Sequence, residues 1–168
     1  MKKKTLLVAE TAVLIALLVA IQFVTKPLGQ FVTGSLVNLI LGVAALFSGL
    51  VPGIIVALVS PFFAFMLGIG TPLIQIVPFI ALGNLVFVLV LHFLYKKNAI
   101  VSVVCAAVLK FVTLFVLVTK VVLPSMGLPA PKLAVLSANF SWPQLVTALI
   151  GGVLTILIVP VIKKGLKR

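Results

Sequence analysis

The residues best suited to bind a small polar molecule are five amide side chains that lie within or beside long apolar segments. An amide offers hydrogen-bond donors and an acceptor, which suits neutral hydrogen bonding inside a mostly apolar pocket. Asn84, next to Gly83 in the middle of an apolar segment, is the strongest candidate for a ligand contact. The five candidate amides are Asn38, Gln75, Asn84, Asn139 and Gln144.

Two aromatic residues and one lysine complete this candidate set. Phe140 and Trp142 stand at the start of the last apolar segment, although an aromatic ring at this place is also typical of a membrane interface. Lys110 lies near the middle of another apolar segment, where a charge is costly. It can face a water-filled cavity, bind an anionic ligand, or extend its ammonium toward an interface, and we expect a cavity.

Catalytic chemistry has little support in this sequence. The chain has one carboxylate side chain, Glu10, one histidine, His92, and one cysteine, Cys105. These residues supply neither a paired acid and base, nor a metal cage, nor a catalytic triad. We therefore predict no enzymatic activity, no metal and no cofactor bound by this chain. The sequence also lacks a glycine-rich phosphate loop, so ATP-driven work would need ATP hydrolysis by another chain.

The composition is that of an integral membrane protein. Of 168 residues, 64% are hydrophobic and 8% charged, whereas a soluble domain has about 45–50% apolar and about 25% charged residues. The formal charge of +12 does not predict nucleic-acid binding, because most of the basic residues stand at the ends of apolar segments. The clustered basic residues are Lys2, Lys3, Lys4, Lys96, Lys97, Lys163, Lys164, Lys167 and Arg168.

The apolar segments predict one all-α integral membrane domain, residues 1–168, with six transmembrane helices. A hydrocarbon core of about 30 Å is crossed by about 20 helical residues. Since positive charge marks the cytoplasmic side of short loops, the basic clusters place the N- and C-termini in the cytoplasm. The predicted spans are residues 5–25, 35–51, 54–68, 77–95, 99–122 and 142–162.

Two connections between the predicted spans contain prolines and glycines that affect the helices beside them. The second and third spans are short and are separated only by Val51, Pro52 and Gly53, so they can form two crossings or one bent hairpin that fails to cross completely. The connection from Leu123 to Ser141 contains three prolines and one glycine. We therefore expect no regular helix there, and a role as an external lid.

One face of the first span consists of small residues. Ala12, Ala16 and Ala20 recur every four residues, so they share a helix face, here named the alanine face, that another helix can approach closely. This face can pack within the chain's own bundle or against a separate subunit. Glu10 in the same span lies shallow enough to pair with a nearby lysine, and proton coupling is the alternative.

Taken in order, several short segments resemble the substrate-binding S-components of energy-coupling factor (ECF) vitamin importers. The resemblance covers nearly the whole chain and includes the alanine face. The other matching segments are Thr33-Gly34-Ser35-Leu36-Val37-Asn38, Gly49-Leu50-Val51-Pro52-Gly53, Ser60-Pro61-Phe62-Phe63-Ala64-Phe65 and Ala81-Leu82-Gly83-Asn84.

The resemblance implies a subunit that captures its vitamin from outside, in a cavity near the outer ends of the later spans, and releases it inward by toppling in the membrane. It implies a multi-pass location in a bacterial-type plasma membrane. The implied partners are a membrane coupling subunit, which would dock on the alanine face, and two ATPase subunits, which use the ATP. The pocket residues implied by the resemblance are Asn84, Lys110, Asn139 and Gln144.

Charge limits the class of substrate. With a single acid in the chain, a strongly cationic ligand such as thiamine is disfavoured, because a buried cation without a carboxylate partner is costly. Aromatic rings, amides and Lys110 suit a neutral or anionic ring compound. The resulting short list is pyridoxine-like and hydroxymethylpyrimidine-like molecules, pantothenate and niacin.

Two other functions fit parts of the pattern. A non-transporting membrane adaptor would use the alanine face and the basic tails to recruit partners, and it would bind no ligand. A small ion-coupled secondary transporter would use Glu10 or Lys110 to couple uptake to an ion gradient.

Overall fold

The computed structural model describes residues 2–166, which form a bundle of α-helices without any strand in that range. The helices are α1 (Lys2–Thr25), α2 (Gly29–Val43), α3 (Leu50–Met66), α4 (Val77–Tyr95), α5 (Ala99–Leu114), α6 (Leu123–Ser125), α7 (Ala130–Asn139) and α8 (Trp142–Gly165). Two π-helical segments, Ala44–Ser48 and Phe115–Val122, prolong α2 and α5. Lys167 and Arg168 of the last basic cluster lie outside the described residues.

Local sequence signals set the ends of several helices. The side chain of Asn98 accepts a 3.0 Å hydrogen bond from the backbone N–H of Val101, which caps the start of α5. Pro78 and Pro143 occupy the first turns of α4 and α8, where the missing N–H of proline has no intrahelical partner to lose. Gly49 precedes α3 with a φ of 111°, which glycine adopts without strain.

Short connections make neighbouring helices antiparallel, and α8 packs between α2 and α5. The contact between α8 and α2 depends on Gly151. A Cβ atom at Gly151 would lie 2.4 Å from the Cβ of Asn38 and 2.5 Å from the carbonyl oxygen of Ser35. Because Gly151 has no side chain, α8 can pack directly against the backbone in the middle of α2.

The buried apolar residues form two clusters. The larger one includes Leu18, Leu41 and Phe87 and extends through the half of the bundle in which α2, α4 and α8 end. The smaller one includes Leu114 and Leu136 and lies beneath α7. Together they leave a polar region at the end of the bundle where α1 and α3 end.

Within residues 2–166, four helical stretches are long and apolar enough to cross a membrane: Lys4–Ser48, Ile74–Tyr95, Ala99–Ser125 and Ala130–Gly165. The first of them contains both α1 and α2, and α3 is a shorter apolar helix. Large apolar side chains face outward around the bundle, for example Phe23, Ile100 and Val161. An apolar outer surface around a partly polar interior is the arrangement expected of helices surrounded by lipid.

The structure differs from the predicted segments at the two uncertain connections. α3 begins at Leu50, earlier than predicted, because Pro52 lies in the first turn of α3 and does not form the turn before it. α2 begins at Gly29, also before the start of the predicted span. The expectation of no regular helix between residues 123 and 141 is wrong, since α7 forms there. Pro129 and Pro131 stand at the start of α7, where proline is tolerated.

Replacing Gly151 with alanine is expected to destabilise the bundle, because the added methyl group would overlap the backbone of α2. Overpacking of this kind costs about 1–3 kcal/mol. Thermal unfolding of the detergent-solubilised protein should show a lower midpoint. Gly165→Ala is the matched control, since a Cβ atom at Gly165 would meet nothing within 4 Å. Equal midpoints for the two variants would contradict the close contact between α2 and α8.

Candidate functional site

A cavity of about 500 Å³ lies at the end of the bundle where α1 and α3 end and where α2, α4 and α8 begin. A volume of this size is typical of sites that bind small molecules. Apolar side chains form much of its wall, among them Phe65, Val77 and Ile80. The polar side chains that line it are Gln22, Lys26, Gln30, Thr33, Asn38, Ser60, Thr71, Asn84, Lys110, Asn139 and Gln144.

A buried lysine held by two amides forms the floor of this cavity. The Nζ atom of Lys110 donates a hydrogen bond of 2.6 Å to Asn38 Oδ1 and another of 2.6 Å to Asn84 Oδ1. The three side chains, here named the lysine clamp, are 2–3% exposed. The ring centroid of Phe87 lies 5.6 Å from Nζ, within range of a weak cation–π attraction. The clamp joins α5 to α2 and α4.

Hydrogen bonds at the nitrogen ends of the two amides fix their orientation. Asn84 Nδ2 donates to Ser60 Oγ at 2.9 Å, and Asn38 Nδ2 donates to the carbonyl oxygen of Gly34 at 2.9 Å. Each amide therefore turns its oxygen toward the ammonium. Because an ammonium has three hydrogens, one hydrogen of Lys110 remains for a ligand.

The hairpin formed by α1 and α2 supplies a second polar wall. Gln22 is 3% exposed, and its Oε1 atom has no hydrogen-bond partner within residues 2–166. Closer to the turn, Thr25 Oγ1 donates to Thr33 Oγ1 at 3.0 Å and so ties α1 to α2. Since buried polar atoms are nearly always hydrogen-bonded, the unsatisfied amide of Gln22 in the cavity lining is a candidate partner for a ligand donor.

α7 covers one side of the cavity mouth. The backbone carbonyl oxygen of Asn139 accepts a 2.9 Å hydrogen bond from Gln30 Nε2 on α2 and a 3.1 Å hydrogen bond from Gln144 Nε2 on α8. Leu136 and Phe140 are buried beneath this connection. These two hydrogen bonds attach the end of α7 to α2 and to α8 across the mouth of the cavity.

Six of the eight predicted ligand residues line the cavity, and their contact with a substrate stays a prediction. Gln75 and Trp142 lie outside the lining. Gln75 is exposed in the turn Ile74–Ile76, and Trp142 is 60% exposed with its ring 5.5 Å from that of Phe31. This placement of Trp142 fits an aromatic residue at the membrane interface. The six lining residues are Asn38, Asn84, Lys110, Asn139, Phe140 and Gln144.

The sequence reasoning missed the polar residues of the α1–α2 hairpin, among them Gln22, Lys26 and Gln30. A usable signal was present for Gln22. It follows Leu18 by four residues and Leu14 by eight, and both leucines are buried. This spacing places the Gln22 amide on the inward face of α1.

The alanine face lies outside the core of this chain. Ala12, Ala16 and Ala20 are exposed and line a shallow groove between α1 and α3, with Phe63 and Leu67 on the α3 side. The face therefore does not serve packing in the interior of the bundle. It is open to a helix of another chain.

The family model described as ECF transporter, substrate-specific component, matches residues 10–163. The chain belongs to this family. The match includes the cavity and the alanine face, and it confirms the resemblance found in the sequence. Searches of curated proteins and of solved structures gave no match.

As an S-component, the chain is a membrane protein that binds substrate within an ECF transporter. The prediction of an all-helical membrane protein is thereby confirmed. S-components are transport subunits and not enzymes, which agrees with the residue types of the cavity. The cavity and its lysine clamp are the feature of this S-component best suited to hold the substrate.

Replacing Asn84 with leucine is expected to destabilise the empty S-component, because the buried ammonium of Lys110 loses one of its two acceptors. A hydrogen bond to a charged group contributes about 1.5–3 kcal/mol. Adding Lys110→Met should restore part of the loss, since it removes the charge that was left without a partner. Unfolding midpoints of the wild type, both single variants and the double variant measure this coupling. Strictly additive shifts would show that the clamp does not act as a unit.

Proposed function

We propose that this S-component captures a water-soluble vitamin or a related small molecule and delivers it inward as part of an ATP-driven ECF importer. The observation that carries the proposal is a cavity with a buried polar floor at one end of an otherwise apolar bundle. Polar and charged groups inside a membrane bundle are costly and mark functional sites. The candidate substrates are pyridoxine-like and hydroxymethylpyrimidine-like molecules, pantothenate and niacin.

The distribution of charge supports a cavity that opens to the outside of the cell. Lys4, Lys96, Lys97, Lys163 and Lys164 lie at the helix ends opposite the cavity. The side of a membrane protein that carries excess lysine and arginine in short loops is the cytoplasmic side. We propose that α1 to α5 and α8 cross the membrane six times, with both termini in the cytoplasm of a bacterial-type cell.

We assign the alanine face to contact with the membrane coupling subunit. Small residues on an exposed helix face let another helix approach closely within lipid. Two ATPase subunits would act through this coupling subunit, because the sequence of the S-component has no phosphate-binding loop. The S-component would reorient against the coupling subunit and so release its substrate inward.

The cavity favours capture over the two alternative functions. A membrane adaptor would need the alanine face, but it would have no use for a buried lysine clamp that faces a cavity. In a secondary transporter coupled through Glu10, the acid is expected beside the substrate, whereas Glu10 lies outside the cavity lining. A transporter coupled through Lys110 would use the same cavity, and the requirement for ATPase subunits is what separates it from capture. The lysine clamp is therefore explained best by a bound ligand.

The isolated S-component is expected to bind its substrate tightly, while uptake is expected to require the coupling subunit and active ATPases. Native mass spectrometry of protein purified gently from cells grown in rich medium tests for a retained small molecule. Uptake into proteoliposomes, with either wild-type or hydrolysis-deficient ATPases, tests the energy source. Gradient-driven uptake by the S-component alone would support a secondary transporter, and a protein that binds nothing would support an adaptor.

Ala16→Trp is expected to abolish co-purification with the coupling subunit and the ATPases, because the indole would keep a partner helix away from the alanine face. Ligand binding should be unchanged, since Ala16 lies outside the cavity lining. Val112→Trp on α5 is the matched control, as Val112 is also exposed but far along the chain from α1. Normal assembly of the Ala16→Trp variant would remove the docking assignment.

A further inference from the structure

The hydrogen bonds of the lysine clamp define what it can offer a ligand. Lys110 donates to Asn38 Oδ1 and to Asn84 Oδ1, at 2.6 Å in both cases. The amide nitrogens are already used on Gly34 and Ser60. The third ammonium hydrogen therefore remains for a ligand, and Asn38 Nδ2 keeps one further hydrogen.

The charge of this ammonium is not balanced inside the cavity. Glu10, the single acid of the chain, does not line it. The other lysine of the lining, Lys26, is exposed at the mouth and donates a 3.0 Å hydrogen bond to the carbonyl oxygen of Leu67. The floor thus holds one positive charge, and a ligand with one negative charge would compensate it.

A second unsatisfied group lies nearer the mouth. Gln22 is in the last turn of α1, and its buried Oε1 atom has no partner among the described residues. Lys110 lies deeper, in the last but one turn of α5 before the π-helical segment Phe115–Val122. A ligand that reaches both groups would place an anion at the floor and a hydroxyl or N–H group toward the mouth.

We infer that the substrate is a vitamin-sized organic carboxylate, with its carboxylate on the Lys110 ammonium and a hydroxyl or N–H group on the Gln22 amide. This inference rests on the proposed function. One carboxylate balances the single ammonium at the floor, whereas a phosphate monoester carries about two negative charges near neutral pH and would need a second cation there. Of the proposed substrates, pantothenate carries both features, niacin carries the carboxylate, and the pyridoxine-like and hydroxymethylpyrimidine-like molecules lack it.

Matched ligand pairs test this inference on the wild-type S-component. Pantothenol is the neutral counterpart of pantothenate, and nicotinamide is the neutral counterpart of nicotinate. Calorimetric titration in detergent should show that pantothenate binds about 10- to 100-fold more tightly than pantothenol, as expected for a hydrogen bond to a charged group. Equal affinities within the pairs, or a preference for the neutral members, would overturn the inference.

Two variants assign the preference to particular groups. Lys110→Met should bring the affinity for pantothenate down to that for pantothenol. Lys120→Met, at an exposed lysine near the ring of Phe115, is the matched control and should leave the preference intact. Gln22→Leu should weaken the binding of pantothenate and of pantothenol by a similar factor. The substitution removes the partner of the ligand's hydroxyl or N–H group and leaves Lys110, the partner of the carboxylate, in place. If Lys110→Met does not fold, the comparison of ligand pairs on the wild type still decides the question.

The failure of this inference can be told apart from the failure of the proposed function. Binding of pyridoxine, hydroxymethylpyrimidine or a phosphate ester without binding of any carboxylate would overturn the inference and leave the capture role. A protein that retains no small molecule in native mass spectrometry, and binds none of these compounds, would overturn both. A retained molecule that tandem mass spectrometry identifies as a carboxylate would support both.

Discussion

A positive charge enclosed in an apolar helix bundle is the constraint on which this structure depends. An ammonium without acceptors is costly in such a place, and the Lys110 ammonium finds its acceptors on Asn38 and Asn84. The nitrogen ends of these amides need acceptors in turn, which Gly34 and Ser60 supply. One charge on α5 thereby specifies how α2, α3 and α4 are placed around the cavity.

Close helix contacts through small residues make the clamp geometrically possible. Gly151 brings α8 against the backbone of α2 beside Asn38, and a Cβ atom at Gly83 would lie 2.7 Å from Leu114 Cγ on α5. Because the helices lie this close together, the Lys110 side chain on α5 can reach the amides of Asn38 on α2 and Asn84 on α4. In lipid, where the hydrophobic effect does not drive helices together, such contacts and the polar bonds between helices supply the association.

Sequence reasoning worked where the information was local and failed where it depended on which helices are neighbours. The predicted segment 77–95 coincides with α4, since Pro78 marks its start and polar residues follow its end. The sequence identifies Asn84 and Lys110 separately, each as a polar residue within an apolar segment. Their mutual bond links positions 26 apart in sequence and follows only from the packing of α4 against α5.

The errors have related physical causes. Gln75 and Trp142 are predicted as ligand residues because the orientation places them on the outer side, but a polar or aromatic side chain there is equally well placed at a membrane interface, and both lie outside the cavity lining. The prolines between residues 123 and 141 predict no regular helix, whereas Pro129 and Pro131 stand at the start of α7, where proline is tolerated. Gln22 is absent from the predicted ligand residues, although its spacing from the buried Leu14 and Leu18 places it on the inward face of α1.

α1 combines the two features that transport would have to connect. Its inward side carries Leu18 and Gln22, which reach the core and the cavity wall, while its outward side carries the alanine face. A helix is rigid over this length, so a partner that shifts or tilts α1 through the alanine face would also move Gln22 relative to the lysine clamp on α2, α4 and α5. Thr25 and Thr33 join α1 to α2 at the mouth. Under the proposed docking on the alanine face, one helix would carry both the partner surface and part of the cavity wall, and no separate relay between them would be needed.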